Sequence, residues 1–136
     1  MVKPIVKDID FLRKKSERAT KEDTHIIKDL QDTLKANSNS CVGMAANMIG
    51  YNKRIIIVNI GIMNIVMINP RIIKKSQPFE AVEGCLSLEG TRTAKRYKQI
   101  EVEFENISFV KQRKKYSYWT AQIIQHEIDH CDGIII

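Results

Sequence analysis

Near the end of the chain stands Gln125-His126-Glu127-Ile128-Asp129-His130, an H-E-x-x-H pattern inside a stretch of helical periodicity. At about 100° per residue, His126 and His130 fall about 40° apart on one helix face, one turn from each other. Two imidazoles at that spacing close on one divalent metal ion. Glu127 is rotated by about 100° from His126. That is too far round for a third ligand, but it suits a base reaching a metal-bound water. Two of the chain's three histidines sit here, so the segment reads as a metal-binding helix rather than a polar helix end.

Working outward, the histidine stripe runs back through Ile123 to Trp119, at offsets of three and four. Ala121, Ile124 and Ile128 form a neighbouring apolar stripe that faces the core. The pattern predicts a helix from Ser117 or Thr120 through His130, with an apolar pocket beside the metal. Upstream, Ile100 to Glu105 alternates, with Ile100, Val102 and Phe104 on one face and Glu101, Glu103 and Glu105 on the other. That is a half-buried antiparallel strand. Arg54 to Ile60 is an apolar β-branched strand with a hairpin partner at Ile65 to Ile68. Asn69-Pro70 reads as its stop, and Gln77-Pro78 as a turn into Glu83-Gly84-Cys85-Leu86-Ser87. Asp23 is placed to cap a helix running to about Ala36, whose stripe is Ile26, Ile27, Leu30 and Leu34. Asp10 to Ala19 reads equally as a short helix or an extended arm.

At 136 residues, 43% hydrophobic and 28% charged, the chain is expected to form one globular domain, residues 1–136. No apolar run approaches the roughly 20 residues of a membrane span, and the first residues lack a signal-peptide core. A cytoplasmic protein is expected. Cys41, Cys85 and Cys131 are an odd number, which argues for thiols or metal ligands over a disulfide framework. The net charge of +6 admits an RNA-rich partner such as the ribosome. The densest basic run, Lys111 to Lys115, reads as a loop or strand end. No nucleic-acid motif accompanies it, so a solvated lysine-rich surface is preferred and no specific nucleic acid or membrane partner is expected.

Two histidines leave a catalytic metal one protein ligand short. Past His130 the chain offers Asp132, too close in sequence to swing back, and Cys131, off the ligand face by about 140°. The third ligand therefore lies upstream, and spacing alone does not separate Cys41 from Cys85.

Glu83-Gly84-Cys85-Leu86-Ser87 taken with Gln125 to His130 resembles the peptide deformylase family, and Cys41-Val42-Gly43-Met44-Ala45-Ala46-Asn47-Met48 is similar to that family's first motif, G-x-G-L-A-A-x-Q. The resemblance implies Cys85, His126 and His130 as metal ligands, with Glu127 as general acid/base and a metal-bound water as nucleophile. It implies the Leu86 N–H as an oxyanion donor. Substrate contacts are implied from Val42, Gly43, Met44, Met48, Gly84 and Arg92, with Trp119 and Ile123 walling the methionine pocket. The implied reaction removes the formyl group from the N-terminal methionine of new polypeptides. The implied ion is Fe(II) in the cell, with zinc, nickel or cobalt taking the same ligands in preparations. The implied fold is α+β, with antiparallel sheets around a central H-E-x-x-H helix.

Two departures stand out. The final Gln of the first motif is Met48, whose thioether has no donor for the oxyanion. Losing one such donor typically lowers the rate by about 10²–10³. Weak activity or a different N-acyl substrate is therefore the alternative expectation. The C-terminal helix through which bacterial deformylases often contact the ribosome is expected to be absent, and ribosome contact stays open without it.

Overall fold

The computed structural model describes residues 1–135. Its elements run α1 (Ile9–Leu12), α2 (Thr24–Ala36), β1 (Gly43–Ala45), β2 (Ile55–Asn59), β3 (Asn64–Cys85), β4 (Leu88–Glu105), β5 (Lys111–Ser117) and α3 (Tyr118–Cys131). The five strands form one antiparallel sheet in the order β1-β2-β3-β4-β5, where more than one sheet was expected. The α+β expectation holds.

Ile55-Ile56-Ile57-Val58 is buried at every position. A strand buried on alternate and intervening residues must be covered on both faces, and both α2 and α3 pack against β2. α2 is buried along Ile26, Ile27, Leu30 and Leu34 as its periodicity requires. The segment Asp10 to Ala19 resolves into the single turn of α1 followed by irregular chain with one bridge, Glu17 to Lys53. No helix among the described residues is long and apolar enough to cross a membrane.

Two punctuation signals are overridden. Asn69-Pro70 does not end the strand: β3 continues to Cys85 through a register shift between Ile68 and Arg71. Asn69 takes a left-handed φ of 52°, and its amide is held by the Ala19 backbone at 2.8 and 3.0 Å. A bulge absorbs the proline that regular pairing would reject. Gln77-Pro78 makes no turn, because Ser76 pairs with Gln99 and Pro78 with Tyr97, so the ladder runs on through it. The long β4 partner outweighs the local signal. The basic run Lys111 to Lys115 is strand β5 rather than loop. In register, Lys111, Arg113 and Lys115 stand opposite Glu105, Glu103 and Glu101. The expected absence of a C-terminal helix is also corrected: the last element is the helix α3, because the H-E-x-x-H segment itself closes the fold.

Candidate metal centre

α3 brings His126 and His130 one turn apart on a buried face, with Glu127 beside them. Cys85 is the last residue of β3. There the chain turns through Leu86 and Ser87 and returns as β4, with Cys85 paired to Leu88. Cys85 Sγ lies 3.3 Å from His130 Nε2, and one donor atom from each of Cys85, His126 and His130 lies within 4.8 Å of the others. A thiolate and two imidazoles converging in this way fit one divalent transition metal. Cys41, the other upstream cysteine, instead donates its thiol to the Gly43 carbonyl oxygen at 2.8 Å. Burial, reinforced by the Glu127 charge, pushes that thiol up to about 11.

Behind the ligands lies a polar network. Glu83 Oε1 meets His126 Nδ1 at 2.9 Å, which orients the ring and leaves Nε2 for the metal. Arg96 grips Glu83 with Nε and a terminal nitrogen at 2.7 to 3.1 Å and reaches Asp129 at 2.6 Å. Gln122 donates to Glu83 Oε2 at 2.9 Å. Gln125 ties α3 to β4 by bonding both the N–H and the carbonyl of Tyr97, each at 2.8 Å. Asn47 donates to the His130 carbonyl at 2.9 Å.

Metal-free, the two histidines are held apart in protonation. Burial works to lower the pKa of His126, but hydrogen bonds with Cys85 and Glu83 and the Glu127 charge outweigh it and hold the ring at about 10. Burial, then the charges of His126 and Arg96, push His130 down to about 3. Burial lifts Glu127 to about 7, against the pull of His126. Glu127 Oε1 is buried with no hydrogen-bond partner, so the carboxylate has an oxygen free for substrate.

A cleft of about 660 Å³ opens onto this centre. Its walls include Val42, Gly43, Met48, Gly84, Cys85, Leu86, Trp119, Ile123, His126 and Glu127. Gly43 is needed there: a Cβ would sit 2.7 Å from Ile123 Cγ2 and 3.0 Å from Glu127 Oε2. Met48 is fully buried, and its Sδ accepts from the Ala45 N–H at 3.4 Å.

Two expected substrate residues lie off the cleft wall. Met44 is fully buried in the core, because β1 is covered on both faces and its side chain is claimed by the apolar cluster. Arg92 is half-buried on β4, where its guanidinium donates to the Glu89 carbonyl at 3.3 Å. The buried arginine of the site is Arg96, which the motif reading passed over because it carries no local signal. Glu83 and Asp129 were legible within the two motifs, and Gln122, one turn before His126, was available from helical spacing.

A family model for polypeptide deformylase matches residues 2–136. A peptide deformylase of Clostridium beijerinckii is 56% identical over 136 residues, covering 100% of both chains. The crystal structure of the peptide deformylase from Thermotoga maritima superposes with a TM-score of 0.89 at 28% identity, over 99% of this chain and 95% of that one. A Met-Ala-Ser-bound class I type b peptide deformylase from Acinetobacter baumannii superposes with a TM-score of 0.88 at 25% identity, over 99% and 97%.

Proposed function

This chain belongs to the polypeptide deformylase family and removes the N-formyl group from nascent peptides, and we propose that its residues divide that reaction as follows. Cys85, His126 and His130 hold one divalent metal, which when bound supplies Lewis-acid activation of water and polarises the formyl oxygen. Glu127 takes a proton from the attacking water and returns it to the leaving amine. The Leu86 N–H donates to the formyl oxygen as charge develops on it. Val42, Gly43, Gly84, Trp119 and Ile123 wall the peptide, and Glu83 with Arg96 fixes the His126 ring. The observation that carries this assignment is the buried Glu127, with one free oxygen and a pKa lifted to about 7, beside a thiol and two imidazoles within 4.8 Å of one another.

Fe(II) is the ion we assign in the cell, with zinc, nickel or cobalt entering the same ligands in preparations. Residues 1–136 act as one catalytic domain in the cytoplasm, on N-formylmethionyl peptides. The relative with Met-Ala-Ser bound supports a short methionyl peptide as occupant of such a cleft. One observation favours slow turnover, or another N-acyl substrate: Met48 offers the cleft a thioether already engaged by Ala45, where the family motif has an amide donor.

The test is formate release from a formyl-methionyl tripeptide, measured anaerobically with Fe(II)-loaded protein. Glu127→Ala serves as control. Release that the control abolishes supports the assigned roles. Release that survives in Glu127→Ala removes Glu127 from the proton transfer. Folded, metal-loaded protein that releases no formate moves the assignment to another N-acyl substrate.

A further inference from the structure

A second cavity, of about 810 Å³, opens on the far side of α3 from the metal centre. The two share no lining residue: Ile123, His126 and Glu127 of α3 face the cleft, and Ile128, Asp129 and Asp132 face this one. Their charges differ in kind. The cleft wall has Glu83 and Glu127 and, among the described residues, no lysine or arginine. The second wall carries six cations from four segments: Lys15 and Arg18 in the chain after α1, Arg54 ahead of β2, Arg71 and Lys75 on β3, and Lys111 on β5.

Four carboxylates stand among them, and each is already held. Asp129 is bonded from outside the cavity by Arg96, at 2.6 Å. Asp132 accepts from Arg54 Nη1 at 2.6 Å. Glu105 accepts from Asn69 Nδ2 at 2.8 Å and from Arg18 Nη2 at 3.5 Å. Glu103 accepts from Arg71 Nη2 at 3.1 Å and stands 3.6 Å from Lys111 Nζ. Six cations thus face three carboxylates that are theirs to neutralise, and the surplus favours an anion. Arg54 is a fixed floor, only 18% exposed, with its second arm donating to the Pro70 carbonyl at 3.0 Å. Arg18 and Arg71 stand at the rim, 74% and 70% exposed, and hold their carboxylates through one nitrogen each. Exposed pairs of that kind contribute little, so a bound anion exchanges them at small cost. Lys75 Nζ lies over the Tyr97 ring, 4.8 Å from its centroid. A guanidinium offers its donors in a planar fork that meets phosphate oxygens two at a time. Cations on four segments around one cavity suit a ligand charged at more than one point.

We propose that this cavity is a phosphate-binding site, separate from the catalytic centre, for a ligand carrying two or more phosphate groups. Such groups occur free, in a pyrophosphate-bearing metabolite, or along a nucleic-acid backbone, and the same cations serve for both.

The test is titration of isotope-labelled, zinc-loaded protein with inorganic pyrophosphate at constant ionic strength, followed by amide chemical shifts. The expected result is saturable shifts, in the millimolar range or tighter, at Arg18, Arg71, Lys75 and Lys111. The double variant Arg18→Gln, Arg71→Gln should weaken binding by about 10-fold or more, because charge-assisted hydrogen bonds are lost. Both side chains are exposed, and the same spectra report whether the variant is folded. Shifts confined to Gly84–Leu86 and His126–His130 would place pyrophosphate on the metal and overturn the proposal. Shifts that rise without saturating, or that the double variant leaves unchanged, would overturn it too. A short oligouridylate separates the two sources. One that binds more tightly than pyrophosphate and displaces it, with log K falling by about 0.7 per contacted phosphate for each tenfold rise in salt, identifies a nucleic-acid backbone. One that binds more weakly or not at all identifies a free phosphate compound.

Discussion

Gly43 has no room for even a methyl group, because Ile123 and Glu127 of α3 close against it. Burial lifts the Glu127 carboxyl to about 7, and the neighbour that closes it in is the backbone of β1. Gly43→Ala should lower kcat/KM by about 10-fold or more through displacement of Glu127 and Ile123. Metal content should be unchanged; metal loss in that variant would point to collapse of the centre instead. Met48→Gln should raise the turnover number, since an amide donor replaces a thioether. Unchanged turnover would mean that the oxyanion is satisfied without that position. His126 supplies a pH prediction. Held at about 10 in the metal-free protein, it carries a proton at neutral pH that a metal must displace. Metal affinity should therefore climb as pH rises from 7 toward 10. Calorimetry in buffers of different ionisation enthalpy should count protons released on binding. At this scale the candidate ligands His126 and His130 and the proposed base Glu127 were legible because their chemistry depends on spacing along one helix. Cys41 and Cys85 were not separable by spacing, because what distinguishes them is where β3 ends.

Among the elements, α3 is set by what grips it from β3 and β4. Glu83 and Arg96 are both buried, and Arg96 also holds Asp129 of α3. Gln125 bonds the Tyr97 backbone. Arg96→Met removes the cation shared by two carboxylates and leaves Glu83 buried against His126. Loss of one partner from a buried pair typically costs about 3–5 kcal/mol. Denaturant unfolding should show a destabilisation of that order. A change within about 0.5 kcal/mol would place the pair among interactions without net effect. The part played by Arg96 was not visible along the chain, since it meets Glu83 only through the pairing of two long strands. Those same strands defeated the proline signals. Asn69-Pro70 and Gln77-Pro78 have the local chemistry of breaks, but pairing with an 18-residue β4 carries β3 across both.

For the molecule as a whole, part of the positive charge is set against carboxylates on its own sheet. Glu101, Glu103 and Glu105 form a row on β4, flanked by Lys111, Arg113 and Lys115 on one side and by Arg71 and Lys74 on the other. A charged edge strand also resists pairing with another copy. The α+β class was legible from the alternation on β4, the β-branched run of β2 and the two amphipathic helices. The single sheet was not, because register between strands leaves no mark in either strand alone.

Cys85 and His126 are about 40 residues apart in sequence yet share one candidate metal. An ion held by both is a removable cross-link that closes the whole β4–β5–α3 segment into a ring. Because its ligands come together only in the folded chain, such an ion stabilises the fold by mass action, by about 4 kcal/mol at a free-ion concentration of roughly 1,000 times Kd. Stripping the metal should lower Tm by several degrees and open the Leu86–Ser87 turn to proteolysis first, with both effects reversed on reloading. A chelated protein with unchanged Tm would show that the ring is already held shut by Arg96 and Gln125. The catalytic ion would then be a passenger in a fold that stands without it.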